Sequence, residues 1–183
     1  MSNLDFSTAE PASFDVIPEG TEAPIIIKVQ AGDPDLADGC LKRGKNSDAL
    51  MLNLEATITG GKYAKRKFFP NFYMDSESGE LTEGQQTGVD MARSKLRAIV
   101  EAARGFSPTD ETPAAITARK LKSLRDLDGM EVTVILGVEK GTGGFSDKNV
   151  IKRVVAHGKA KGPDGPDEAA SMRAATKPAK KGW

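Results

Sequence analysis

The sequence predicts a mainly β protein with one or two helices, arranged as a five-stranded antiparallel barrel of the OB type. Apolar and polar side chains alternate at 47–59 and again at 130–138, which is typical of half-buried strands. Apolar residues recur at steps of three and four within 86–104, which indicates one main helix. The order of three strands, a helix and two strands is that of an OB barrel, with its helix between strands three and four. The alternative is another small α+β or β-barrel fold with the same element order.

The first two strands follow from residue types in the amino-terminal third. Residues 1–22 are polar and contain two prolines, so we expect an irregular lead-in to a domain that spans 23–156. β-branched residues favour a first strand at 24–30. One face of the second strand, 47–59, carries only apolar side chains and is therefore expected to face the core. These side chains are Leu50, Leu52, Leu54, Ala56 and Ile58.

A hairpin and a third strand come next. The Gly60-Gly61 pair tolerates positive φ at both positions, so it predicts a tight turn. The third strand covers 63–74, and Pro70 marks an edge position or a bulge because proline lacks a ladder N–H donor. A loop of Asp, Ser, Glu and Gly follows at 75–84.

Two helices are predicted in the second half of the chain. The main helix, 86–104, ends at Gly105, a typical residue just beyond a helix terminus. Pro113 suits the first turn of a shorter helix at 114–124.

Two more strands and a tail complete the prediction. The strands cover 130–138 and 148–156, and a glycine-rich connection joins them. Residues 157–183 are dominated by Gly, Pro, Ala and Lys without apolar periodicity, so we expect a disordered basic tail.

Composition argues against several classes of site. One cysteine, Cys40, and one histidine, His157, exclude an internal disulfide and argue against a Cys/His zinc site. No nucleophile–base pair, carboxylate dyad or dinucleotide-binding fingerprint stands out, so we expect no catalytic residue, no metal, no cofactor and no enzyme activity. The chain has neither a run of about 18 apolar residues nor a basic-then-apolar leader, which predicts a soluble intracellular protein.

Charge is balanced overall but polarised along the chain. The 26 basic and 26 acidic residues cancel. Residues 1–39 carry eight acidic residues and one lysine, whereas 41–73 carry seven basic residues and two acidic ones. An anionic ligand is therefore expected to bind the middle of the chain.

The segment 62–73 combines four cations with five of the chain's ten aromatic residues. Cations neutralise phosphates and flat rings stack on bases, so this pattern indicates a single-stranded nucleic acid, DNA or RNA, as the ligand. Neighbouring strand residues face opposite sides, and we expect Phe68 and Phe72 to be buried. The alternative is that the cations form a solvated strand edge that prevents aggregation. The expected contacts are Lys62, Lys65, Arg66 and Lys67 to phosphates, and Tyr63, Phe69 and Tyr73 to bases.

Two flanking elements extend the predicted site. The loop before the second strand supplies Lys42, Arg43 and Lys45, and the last strand supplies Lys148, Lys152 and Arg153. For the last strand, the alternative is ordinary exposed charge.

Several short motifs, in order along the chain, resemble a bacteriophage-encoded family that was long of unknown function. Residues 14–20 resemble "F-x-x-(V/L)-P-x-G", and residues 61–72 resemble "G-x-Y-x-G-R-K-(L/F)-F-x-N-F". A helix of similar type at 92–100 follows, and residues 127–134 resemble "L-x-G-K-x-(V)-x-V". The resemblance extends from about residue 14 to residue 155.

The resemblance implies a single-stranded DNA-binding protein of phage DNA replication and recombination, in the cytoplasm of the infected bacterium. The tail ends in Trp183 and is similar in its aromatic tip to the tails of bacterial single-strand binders, which recruit partner proteins. We therefore expect replication or recombination proteins as partners of the tail, and no membrane. The sequence leaves the oligomeric state open. The alternative is a non-catalytic adaptor or structural protein that docks onto a protein partner through the same hairpin.

Overall fold

Seven antiparallel strands and two α-helices form the fold, which is mainly β as the sequence predicts. The computed structural model describes residues 15–45 and 47–156. The strands are β1 (Glu22–Val29), β2 (Leu41–Arg43), β3 (Ala49–Ile58), β4 (Lys67–Phe68), β5 (Asn71–Ser76), β6 (Glu131–Glu139) and β7 (Lys148–Val154). The helices are α1 (Glu83–Ala103) and α2 (Pro113–Ala118), with two 3-10 turns at Ala37–Gly39 and Leu124–Leu127.

β3 is the central strand of the sheet. The carbonyls of Asn53 and Ala49 accept hydrogen bonds from Gln30, at the end of β1, and from Gly44, after β2. Alternate residues direct their backbone groups to the same edge of a strand, so β1 and β2 lie end to end along one edge of β3. Leu54 donates to the carbonyl just before β5, which places β4 and β5 on the other edge. β6 pairs with β1, and β7 pairs with β6.

The core lies between the inner face of this sheet and α1. The predicted inner face of β3 is confirmed, since each of its five apolar residues is at most 8 % exposed. The predicted stripe of α1 is also buried, and the helix contacts β5, β6 and β7. Phe68 and Phe72 are each 5 % exposed, as expected. Full burial of one such large side chain stabilises the fold by about 1.5–3 kcal/mol.

The predicted closed barrel of five strands is not what the structure contains, because the sheet has seven strands and is open. Within the described residues, no ladder joins β7 to β4 or β5. The predicted third strand at 63–74 is interrupted, since Pro70 lacks an N–H and separates two short strands. The connection from β3 to β4 covers residues 59–66 and is longer than the two-residue turn that a Gly-Gly pair forms. An additional strand, β2, forms within the loop that was expected before the second predicted strand.

The second helix is also shorter than predicted. It ends at Ala118 instead of continuing to residue 124. The chain then reaches a separate 3-10 turn, because the side chains of Ser123 and Asp126 cap that turn with reciprocal hydrogen bonds. The predicted tail at 157–183 and most of the predicted lead-in lie outside the described residues.

A short segment before β1 is anchored across the open side of the sheet. The buried amide of Asn149 in β7 accepts from the Ile17 N–H at 2.8 Å and donates to the Ile17 carbonyl at 2.8 Å. Two residues earlier, the carbonyl of Asp15 accepts a hydrogen bond from Arg66 in the β3–β4 connection. The segment 15–17 therefore runs between this connection and β7.

Candidate nucleic-acid interface

The β3–β4 connection, residues 59–66, presents its cations on a turn instead of along a strand. The Lys65 N–H donates to the Ile58 carbonyl at 2.7 Å and closes the hairpin. Gly61 and Lys65 have φ values of +77° and +71°, in the left-handed region. Lysine has a Cβ that crowds its own backbone there, so Lys65 is held in a strained conformation. Lys65 lies where the turn returns to the strand, and its side chain is exposed.

Tyr63 gathers two of the predicted cations around its ring. The Lys62 Nζ lies 5.3 Å from the ring centroid, and the Arg66 guanidinium carbon lies 5.7 Å from it. Both distances fall within the range of cation–π attraction. The ring itself is half-buried and packs against the core. It therefore positions the two cations and has little free face on which a base could stack.

Two lysines of this turn carry charges that no ion pair compensates in the described part of the chain. Lys62 and Lys65 are exposed, and neither has an ion-pair partner among the residues that the structure describes. Lys67 differs, because its Nζ lies 2.7 Å from a carboxylate oxygen of Glu55 on the same outer face of the sheet. A phosphate at Lys67 would have to compete with Glu55. The turn therefore offers its strongest attraction at Lys62 and Lys65.

Phe69 is the most accessible aromatic ring among those predicted to stack. It is 52 % exposed between β4 and β5. Tyr73 is half-buried, and its hydroxyl is enclosed without a hydrogen-bond partner in the described part of the chain. This burial raises the pKa of the Tyr73 phenol. A base can reach Phe69 without rearrangement of the protein, whereas stacking on Tyr73 needs its ring to be uncovered.

A groove separates the start of β5 from β7. Its volume is about 140 Å³, and its walls include Pro70 on one side and Lys148 on the other. Lys95 of α1 adds a second cation, while Glu139 faces Lys148 at 3.4 Å. Phe69 directly precedes one wall of this groove, and the β6–β7 loop directly precedes the other.

Sequence reasoning missed a second exposed ring in that loop. Phe145 is 81 % exposed, the largest exposure among the large apolar side chains of the described residues. The Asp147 carboxylate closes the loop, accepting from Lys140 Nζ at 2.5 Å and from the Gly141 N–H at 3.0 Å. The hydrogen bond from Lys140 lowers the pKa of Asp147. A lone aromatic residue within a run of glycines, without apolar neighbours to pack on, was the signal in the sequence.

Arg43 is held by carboxylates, unlike the rest of its loop. Its guanidinium contacts Asp33 at 3.3 Å, Asp35 at 2.7 Å and Glu77 at 2.8 Å. The hydrogen bonds that Arg43 donates to Asp35 and Glu77 raise the pKa of Arg43 further above its normal range. This arginine therefore fastens the loop after β1 to the end of β5, and a phosphate would have to displace acidic partners to reach it. The neighbouring cations of the predicted site, Lys42 and Lys45, are exposed.

The predicted cations of β7 do not form one cluster. Lys148 lies at the groove, whereas Arg153 is exposed near the opposite end of the strand. Lys152 pairs with Glu19 at 2.7 Å, and its hydrogen bond lowers the pKa of that carboxyl. Phe69 and the β6–β7 loop thus adjoin the groove along the chain, whereas Arg153 lies near the other end of β7 from Lys148.

Metal-ligating or nucleophilic residues are not concentrated at this interface. No group of three or more His, Cys, Asp or Glu residues in the described ranges is arranged to hold a metal ion. Cys40 is 1 % exposed, and burial raises the pKa of its thiol. His157 lies outside the described residues.

Comparisons with known proteins do not assign this interface. No family model matches the chain, and no curated protein is significantly similar to it. Neither helix in the part of the chain described here is long and apolar enough to cross a membrane.

Proposed function

We propose that this protein binds single-stranded DNA without sequence preference, as a non-catalytic factor of phage DNA replication or recombination in the host cytoplasm. The observation that carries the proposal is the hairpin on which the uncompensated charges of Lys62 and Lys65 precede the exposed ring of Phe69. Phosphates need the charges and bases need the ring, so the two features together suit an unpaired polynucleotide.

The energetic contributions follow from the same side chains. Each phosphate that is neutralised steepens the dependence of log K on log salt by about 0.7 for a single strand. A base stacked on a ring contributes about 1–3 kcal/mol. Phe69 directly precedes Pro70 at one wall of the groove between β5 and β7, and Phe145 lies three residues before Lys148 at the other, so these two exposed rings are the proposed stacking positions. Phosphate contacts and stacking do not read the edges of bases, so binding of this kind is tolerant of sequence.

The order of the strands supports an OB-like arrangement. β2 prolongs the line of β1, and β4 prolongs the line of β5, so the sheet has five positions. Their order, β5–β3–β1–β6–β7, is that of an OB barrel whose seam between β5 and β7 is open. OB barrels bind oligonucleotides on strands two and three and on the adjacent loops. In this chain those elements are β3, β4, β5 and the β6–β7 loop.

Binding of a protein partner by the same hairpin is the second candidate function. Exposed Phe69 and Phe145 also suit the apolar centre of a protein interface, and the Lys67–Glu55 pair lowers the net charge of the hairpin. Replication or recombination proteins that bind the tail are compatible with both functions, so they do not distinguish between them. The two functions differ in their response to salt.

Binding of fluorescent oligo-dT at several salt concentrations tests the proposal. We expect tight binding at low salt, a preference for single over double strands, and affinity that falls steeply as salt rises. Replacing both Lys62 and Lys65 by alanine should reduce the salt slope by about 1.4. The matched control, both lysines replaced by arginine, keeps the charges and should keep the slope. If the wild-type protein does not bind oligo-dT, the proposal is wrong and the protein-docking function is favoured.

A further inference from the structure

We propose that the helices carry a second surface, which binds the phosphate backbone of the same DNA strand and therefore rests on the proposed function. This surface, the helical patch, consists of five exposed cations on α1 and the segment after α2. They are Arg93, Arg97, Arg104, Lys120 and Lys122. None of them belongs to the site that the sequence predicts.

Contacts between the helices bring these cations together. Arg93 lies one turn before Arg97 on the same side of α1. Arg97 and Arg119 share the buried carboxylate of Glu101, at 2.7 and 2.6 Å, which ties α1 to the end of α2. Arg104 at the end of α1 donates to the carbonyl of Ala118, which immediately precedes Arg119 and Lys120.

Lys122 belongs to the same cluster. Backbone hydrogen bonds from Lys122 and Ser123 lower the pKa of Asp126, and the positive charges of Arg104 and Lys122 lower it further. Both cations therefore lie close to this carboxyl. The five cations of the helical patch consequently form one continuous surface.

The charge of this region is neutralised only in part. Residues 93–126, which include Asp126 beside Arg104 and Lys122, contain eight basic and four acidic residues, a net charge of +4 in a chain whose total is zero. Glu101 is 4 % exposed and is already shared by two arginines. Arg93, Lys120 and Lys122 have no ion-pair partner among the described residues. A surface that served only solubility would intersperse both signs, whereas this one concentrates a single sign.

The helical patch lacks the rings of the hairpin. The single aromatic residue within 93–125 is Phe106, which is half-buried. Charge without exposed rings suits phosphates and not bases. The helical patch therefore extends the binding of DNA by electrostatic attraction alone.

The two surfaces lie at opposite ends of β1. At one end, the Thr59 N–H of the hairpin donates to the Pro24 carbonyl at 2.9 Å. At the other end, the Val29 N–H donates to Asp128, just after the 3-10 turn near the helical patch, at 2.7 Å. Five residues of strand separate these points by about 17 Å. At about 3.4 Å per nucleotide or more, an oligonucleotide of about three nucleotides on the hairpin would therefore fall short of the helical patch, whereas a long one reaches both.

A comparison of oligonucleotide lengths tests this inference. Arg93, Lys120 and Lys122 are replaced together by alanine, and binding is measured with oligo-dT of about three and of about thirty nucleotides. We expect no change for the short oligonucleotide. For the long one, the salt slope should fall by about 2, which corresponds to a loss of affinity of up to about a hundredfold at about 0.1 M salt. The variant Arg93→Lys, Lys120→Arg, Lys122→Arg keeps all three charges and should bind as the wild type does.

The possible results separate this inference from the proposed function. If the alanine variant binds the long oligonucleotide like the wild type, or loses affinity equally for both lengths, the inference is overturned while the hairpin assignment is unaffected. If replacing Lys62 and Lys65 leaves binding of the short oligonucleotide unchanged, the hairpin is the wrong site. Circular dichroism of each variant establishes that it is folded, and a wild-type protein that binds neither length overturns both proposals.

Discussion

Replacing Lys65 by glycine should stabilise the fold and weaken DNA binding at the same time. Lys65 has a φ of +71°, and a residue with a Cβ pays about 1–2 kcal/mol for this left-handed conformation. Glycine avoids that strain but loses about 0.5–1 kcal/mol more conformational free energy on folding. The net result is a stabilisation of about 0.5–1 kcal/mol. In a protein of this size, we expect Tm to rise by about 1–4 °C.

The effect on binding has the opposite sign. Lys65 is exposed and has no ion-pair partner among the described residues, so its removal deletes one phosphate contact without releasing a carboxylate. The salt slope for oligo-dT should therefore decrease by about 0.7. A lysine that costs stability in the hairpin but contributes to affinity has the pattern of strain that is kept for function.

Lys62→Gly is the matched control, because it removes an equal charge from the same turn. Its φ does not lie in the left-handed region, so glycine should lower stability by about 0.5–1 kcal/mol instead of raising it. Thermal unfolding followed by circular dichroism measures both variants, and salt titrations measure both affinities. If Lys65→Gly is no more stable than Lys62→Gly, the argument from backbone strain fails. An unchanged salt slope in Lys65→Gly would exclude this residue from the interface.

Three further predictions concern the exposed rings, the anchored segment and pH. Phe145→Ala should weaken oligo-dT binding by about 1–3 kcal/mol without a change in Tm, whereas Phe68→Ala should lower stability by about 3–5 kcal/mol; equal Tm losses would contradict the assignment of one ring to the surface and the other to the core. Asn149→Ala should release Ile17 and make residues 15–17 more susceptible to limited proteolysis, and an unchanged cleavage rate there would show that the amide is not the anchor. Hydrogen bonds from Ser76 and Ser78 lower the pKa of Asp48, so the stability that this carboxylate contributes is present above about pH 4 and is lost as the pH falls further. In acid unfolding experiments, Asp48→Asn should therefore lose less stability over this pH range than the wild type does.

Periodic burial is the part of the fold that the sequence predicts well. The inner face of β3 and the buried stripe of α1 follow from alternation and from steps of three and four, because burial of apolar side chains dominates their placement. The predicted start of α1 was late by three residues. Thr82 and Gln85 form a capping box at the helix start, and this signal was present in the sequence.

Turns and charge partners were harder to predict. The Gly60-Gly61 pair suggested a two-residue turn, but the connection is longer and includes Lys65 in the left-handed conformation. Lysine rarely adopts that conformation, so the sequence did not predict it. A count of charges also could not distinguish Arg43, which three carboxylates hold, from Lys62, which is uncompensated. Which cations are available depends on contacts between segments that are distant in the chain, and local composition does not contain that information.

The central position of β3 and the open edge of β7 predict unequal rates of amide hydrogen exchange. β3 has neighbours along both edges, so most of its amides should exchange only when the whole domain unfolds. Among the described residues, β7 has a ladder partner on one side only, and its outward amides should exchange through local opening. The wall of the groove formed by β7 can therefore adjust to a bound strand while the rest of the sheet stays intact.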